Sequence, residues 1–227
     1  MNTFIRYAGL KRFRPLLLSA LVVSAVVLGF SLSTQAETAD GTQTLVFMRH
    51  AEKPEDGLGQ LNCQGLNRSI ALSGLLPKLF GDANYIFAAN PTRHVEEGPN
   101  DASFAYLRPL LTISPSAIKL GLPVNIDFSA NDVSDLASEL LRDKYHSAIV
   151  YTAWSNGYLP KLINEVVSDA TGKKHKIVDD WASDDFDSLV VVSLVWHDGK
   201  ATVTHKVVPQ QLNGGSLVCP GMMPTPL

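Results

Sequence analysis

The apolar run Leu45-Val46-Phe47-Met48, ending abruptly in Arg49-His50, constrains this chain more than any other stretch. An apolar strand that stops at a basic pair puts both side chains at the carboxyl edge of a sheet, where open α/β folds bind ligands. Arginine's planar fork can clamp phosphate oxygens, and an imidazole near its ordinary pKa of about 6.5 can attack phosphorus. An isolated Arg-His pair would read as a strand end with two solvated polar residues. The segments that follow outweigh that reading.

Patterning along the rest of the chain predicts strands alternating with helices. Thr44 to Met48 is strand-like, and residues 64–75 carry Leu66, Ile70, Leu72 and Leu75 among polar neighbours, a plausible helix. Tyr85 to Ala89 is a short apolar strand stopped by Asn90-Pro91. Residues 92–105 are charged, Gly/Pro-bearing and aperiodic, which predicts a surface loop at the rim of the site. Val133, Leu136, Leu140 and Leu141 recur at helical spacing; Ser147 to Ala153 reads as a strand, and residues 160–168 as a helix with Pro160 in its first turn. Ser188 to Trp196 and Ala201 to Val208 flank His197-Asp198-Gly199-Lys200, a hairpin signature. The expected fold is an α/β three-layer sandwich with a mostly parallel central sheet.

The first 36 residues read as a secretory signal peptide. Arg6, Lys11, Arg12 and Arg14 form a basic n-region, Leu16 to Phe30 is apolar, and Thr34-Gln35-Ala36 supplies small residues for cleavage. An uncleaved membrane anchor is the alternative, since the apolar stretch approaches the roughly 20 residues that span a bilayer. Removal takes away four of the 19 basic residues and none of the 22 acidic ones, leaving 15 against 22, a formal −7. Such a product is a poor candidate for nucleic acid or anionic lipid, both of which need basic surfaces. No membrane association is then expected once the signal is gone, and localisation would be periplasmic or secreted. Residues 37–227 fit one domain with room for a full core. No extended apolar heptad specifies an oligomeric state.

Cys63 and Cys219 are the only cysteines. In an oxidising compartment they would pair, tying the segment after the first strand to the C-terminal region, and in the chain-entropy model so long a loop contributes up to about 4 to 5 kcal/mol. Two buried free thiols are the alternative. Two cysteines alone do not make a zinc site, and no metal or other cofactor is expected.

Several segments, in order, resemble the histidine phosphatase (phosphoglycerate mutase-like) superfamily. Arg49-His50-Ala51 stands where that family has Arg-His-Gly, Gly65-Leu66-Asn67-Arg68 resembles its Gly-x-x-Arg helix entry, and Arg108 with Thr112 resembles its second arginine motif. The resemblance runs from about Leu45 to Pro220. It implies a phosphoglycerate mutase-like fold and a metal-independent reaction in which His50 takes a phosphoryl group as phosphohistidine. Arg49 and Arg108 would grip the phosphoryl oxygens, and Arg93 is the rival for the second arginine, though it lacks the threonine. Arg68 either approaches the pocket or pairs with a carboxylate on a helix face. Glu52 and Lys53 either shape the rim or form a local surface ion pair.

The chain departs from the family at one place. Relatives carry a second catalytic histidine within Trp-Glu-His-Gly-Tyr-Leu, and this chain reads Trp154-Ser155-Asn156-Gly157-Tyr158-Leu159. Asn156 therefore takes the histidine position as a phosphate-binding amide, and none of His94, His146, His175, His197 or His205 has the right context to replace it, although His94 lies on a loop that could reach in. Losing a preorganised donor of this kind costs about 10²- to 10³-fold in rate. The general acid is unassigned: Asp127 and Asp132 are candidates, with a turn and a helix N-cap as their bland roles. Asp184-Asp185-Phe186-Asp187 with Trp181 resembles a structural landmark. Two functions fit these residues: an exported phosphomonoesterase acting on a small or envelope-derived phosphate ester, and a catalytically impaired relative, a possible pseudoenzyme, that binds phosphorylated ligands or partners without turnover.

Overall fold

A computed structural model describes residues 40–221, and the signal segment read in residues 1–36 lies outside them. The sheet has six strands in the order β5-β2-β6-β1-β7-β8. These are β1 (Gly41–Arg49), β2 (Tyr85–Ala88), β5 (Val124–Asn125), β6 (Ile149–Trp154), β7 (Ser188–His197) and β8 (Lys200–Pro209), while β3 (His94–Glu97) and β4 (Ala102–Ala105) form a separate two-stranded sheet. Strands β5, β2, β6 and β1 run parallel, and β7 is antiparallel to both β1 and β8. The fold is thus mixed α/β with a mostly parallel central sheet.

Alternation along each central strand builds two cores. Leu45 and Phe47 of β1, Val150 and Trp154 of β6, and Val190 and Val192 of β7 face helices α3 (Val133–Leu140) and α4 (Leu159–Thr171). Val46 and Met48, Tyr151 and Ala153, and Leu189 and Val191 face α1 (Cys63–Phe80) and α2 (Arg108–Leu120). A period of two with apolar residues on both faces is what a strand between two helical layers requires. Local signals set the ends: Asn62 caps α1 by accepting the Gly65 N–H at 2.8 Å, and Pro160 sits in the first turn of α4. Asp198 (φ 48°) and Gly199 (φ 72°) are both left-handed, as a two-residue hairpin turn demands.

Two segments differ from the sequence expectation. Residues 92–105 are not an irregular loop but carry the β3–β4 hairpin, paired from His94–Ala105 to Glu97–Ala102. Residues 108–120, read only as a motif, form α2, where Pro109 occupies the first turn and Pro115 is accommodated within the helix.

Cys63 and Cys219 form a disulfide with their Cα atoms 4.5 Å apart, closing a span of 156 residues. It fastens the C-terminal segment to the start of α1, where Asn67 also donates to the carbonyls of Ser216 and Val218. Among the described residues no helix is long and apolar enough to cross a membrane.

Candidate active site

Strands β1 and β6 are neighbours, yet the chain leaves β1 for the α1 face and β6 for the α4 face. That divergence opens a crevice at the carboxyl ends of the two strands. His50 lies at its lip: its N–H extends the ladder by donating to Trp154 O at 2.9 Å. Its imidazole is buried, with Nδ1 2.8 Å from the Ala51 carbonyl. Only a protonated Nδ1 can bond a carbonyl, so the lone pair of the neutral ring is on Nε2. Burial first, then the charges of Arg108 and Arg49, lower the His50 pKa to about 3 against the pull of the Ala51 bond. The ring is edge-on to Tyr106 at 6.0 Å and tilted against Phe186 at 6.1 Å.

Arg49, the last residue of β1, is buried, stacks 3.8 Å over Phe186 and donates to the Ser183 carbonyl at 2.6 Å. Desolvation lowers its pKa to about 10, so it remains a cation at neutral pH. Arg108, the first residue of α2, donates through both terminal nitrogens to Glu97, at 2.6 and 2.8 Å, and lies 4.8 Å from the Tyr106 ring. The Nε–H groups of both arginines are buried with no hydrogen-bond partner. Thr112 explains the Arg-x-x-x-Thr spacing: one turn after Arg108, its hydroxyl donates to the Arg108 carbonyl and accepts the Ala51 N–H, both at 2.8 Å. It ties the segment after β1 to α2.

The Gly-x-x-Arg pattern has an equally local cause. A Cβ on Gly65 would approach the Glu52 backbone nitrogen to 2.9 Å, so only glycine lets α1 start this close to the loop. Arg68, one turn on, is buried and pairs bidentately with Glu52 (2.6 to 3.0 Å), then with Asp187 (3.0 Å), Gln210 (2.9 Å) and Asn213 (2.9 Å). Arg68 is therefore the carboxylate partner of the two readings. Glu52 and Lys53 do not pair with each other: Glu52 turns inward to Arg68, and Lys53 lies 3.7 Å from Glu97.

Asn156 stands two residues beyond the end of the β1–β6 pairing, partly buried, with its amide nitrogen 3.5 Å from the Trp181 carbonyl. Asp127 is exposed and closes a turn with Asn125, while Asp132 stands at the N-cap position of α3 but accepts from the Ser129 N–H instead. Arg93 lies 5.4 Å over Tyr158. His94 meets Ser103 on the hairpin, His146 stacks on Trp196 at 3.8 Å, and His197 pairs with Asp40. Glu97, Tyr106 and Phe186 complete the surroundings of His50, and no sequence motif marks Glu97 or Tyr106. Nothing in the sequence distinguishes Glu97 from Glu96; a carboxylate within a charged insert before the second arginine is the only signal.

The burial of His50 has a consequence for stability. The unfolded chain takes up a proton near pH 6.5, whereas the folded chain resists it down to about pH 3. Stability contributed by the neutral ring is therefore lost as pH falls through that window, at about 1.4 kcal/mol per pH unit. Urea unfolding from pH 6 to pH 5 is expected to show a slope about one proton steeper for the parent than for His50→Gln. Equal slopes would mean that His50 charges freely.

No family model matches the chain, and no curated protein matches it. Solved structures do. A structure described as a SixA phosphohistidine phosphatase from Nakamurella multipartitia is 16% identical, with 75% of this chain and 98% of that one covered, at a TM-score of 0.46. A mycobacterial glucosyl-3-phosphoglycerate phosphatase with inorganic phosphate is 14% identical over 74% of this chain and 99% of its own, at 0.48. A mutant phosphoserine phosphatase from Entamoeba histolytica with phosphoserine is 10% identical over 75% and 98%, at 0.45.

Proposed function

We propose that the protein is an exported, metal-independent phosphomonoesterase of the histidine phosphatase type, acting on a small or envelope-derived phosphate ester. One observation carries the reading: at the crevice of the sheet, a neutral imidazole with its lone pair on Nε2 is flanked by two arginines whose buried Nε–H groups have no partner. A buried donor left unbonded costs about 1 to 3 kcal/mol, and phosphoryl oxygens are acceptors that would satisfy two of them at once. In the reaction, Nε2 forms the N–P bond as the P–O ester bond breaks, and the electron pair leaves with the ester oxygen. Water then cleaves the N–P bond, releasing orthophosphate and freeing His50. Arg49 and Arg108 neutralise the charge on the non-bridging oxygens throughout.

A second reading, binding without turnover, is favoured by Asn156, whose amide offers a neutral hydrogen bond where an imidazolium would offer a charge-assisted one. An aryl phosphate separates the two, because a phenolate leaves without a proton donor. The parent is expected to turn it over slowly without added metal, and Asn156→His is expected to raise the rate by about 10²-fold or more. A silent parent revived by Asn156→His favours the binding reading, and silence in both removes the phosphatase reading.

A further inference from the structure

We infer that Glu97 is a built-in counter-anion that holds Arg108 in the free protein and competes with a phosphoryl group for it, so that the β3–β4 hairpin tunes the affinity of the site. The inference rests on the phosphate-binding reading of Arg49, His50 and Arg108. Its central observation, the pairing of Glu97 with Arg108, is separate from those that led to that reading.

Both carboxylate oxygens of Glu97 engage both terminal nitrogens of Arg108, at 2.6 and 2.8 Å. That bidentate face is one that arginine offers to phosphate. A carboxylate placed there mimics the ligand and competes with it. With Glu97 on the terminal nitrogens, a phosphoryl group can approach Arg108 from its Nε edge, where the N–H is buried and unbonded, but gains the terminal face only by displacing the carboxylate.

The loop after β1 is shaped to receive this carboxylate. Gly57 (φ 76°), Leu58 (φ 51°) and Gly59 (φ 66°) are all left-handed, and a Cβ on Gly57 would lie 2.8 Å from the Glu97 Cβ. The Gly59 N–H donates to Glu97 Oε2 at 3.2 Å, and the Gly59 carbonyl accepts the Leu107 N–H at 2.8 Å. The backbone thus grips the hairpin insert and the start of α2 from one turn. Lys53, whose side chain is partly exposed, lies 3.7 Å from the other carboxylate oxygen and offers Glu97 a partner once Arg108 is taken.

The hairpin that carries Glu97 is well suited to yield. Its strands are four residues each, outside the main sheet, and exposed or only partly covered. An isolated two-stranded hairpin is marginal in water, so its seat depends on contacts such as the Glu97–Arg108 pair. Competition for that pair opposes phosphate, and like-charge repulsion from Glu97 adds to it.

Titration of orthophosphate into the purified protein tests this. Glu97→Gln is expected to bind about 10- to 100-fold more tightly than the parent, the value of one charged hydrogen-bond pairing released. Glu97→Ala, which removes the carboxylate from Arg108 altogether, is expected to shift in the same direction. Saturating phosphate is also expected to speed amide exchange at Gly59 in the parent. Equal or weaker binding by Glu97→Gln, with binding still lost in Arg49→Ala, overturns the counter-anion role and leaves the phosphate site standing. Binding in none of the variants, or binding indifferent to Arg49→Ala, overturns the site itself and this inference with it.

Discussion

Turnover of an aryl phosphate is expected to fall at least about 10³-fold in His50→Ala, with the fold left intact. The size of the effect follows from what the side chain alone supplies. In the proposed reaction Arg49 and Arg108 bind and polarise the ester but cannot form a bond to phosphorus, and the attacking atom is the buried Nε2, which stays unprotonated down to about pH 3. Alanine removes the proposed nucleophile and leaves both guanidinium groups in place. Orthophosphate binding is accordingly expected to survive the substitution, so the loss should appear in kcat rather than in ligand affinity. A variant that keeps a tenth of the parent's rate would show that water, not His50, attacks phosphorus.

Arg68→Ala is expected to destabilise the protein by about 3 to 5 kcal/mol, the usual cost of stripping one partner from a buried ion pair. Arg68 touches neither His50 nor the proposed ligand, yet it holds Glu52 from the segment after β1, Asp187 at the entry to β7, and Gln210 and Asn213 from the C-terminal segment. Its loss leaves the Glu52 carboxylate buried without its cation. For a domain of this size the midpoint of thermal unfolding is expected to drop by roughly 6 to 20 °C. Glu52→Gln in the same background should recover part of that loss, because an amide does not carry an uncompensated charge. A drop below about 1 kcal/mol would place this network among exposed ion pairs.

Much of the scaffold is legible in the residue pattern, for physical reasons that differ from element to element. Strands β1 and β6 are apolar on successive residues because both of their faces are covered, and α1 and α4 show helical spacing because one face of each packs on the sheet. Asp198-Gly199 marks a hairpin because the turn requires two left-handed residues. Helix α2 is hidden by Pro115, which reads as a breaker but is carried by the packing of Ile113 and Ala117 against the sheet. Strands β3 and β4 are hidden because His94-Val95-Glu96-Glu97 has no apolar alternation; their pairing depends on docking to the turn at residues 57–59.

The site divides along the same line. His50, Arg49 and Arg108 are readable because their spacing is local: a strand end, and an arginine one turn before Thr112. The partners are not, because they come from afar. Glu97 reaches Arg108 across a hairpin, and Asp187 reaches Arg68 from 119 residues away. No local pattern encodes which of several carboxylates arrives. The role of Arg68 hangs on Glu52 turning inward, away from Lys53, and adjacency in the chain does not dictate that turn.

The central claim is that His50 carries the phosphoryl group, and acid-sensitive, base-stable phosphorylation tests it most directly. The parent and Asn156→His, mixed briefly with a radiolabelled aryl phosphate and quenched in alkali, are expected to retain label on the peptide containing His50, with none on His50→Ala. Turnover without label on that peptide, or label that persists in His50→Ala, would contradict the account.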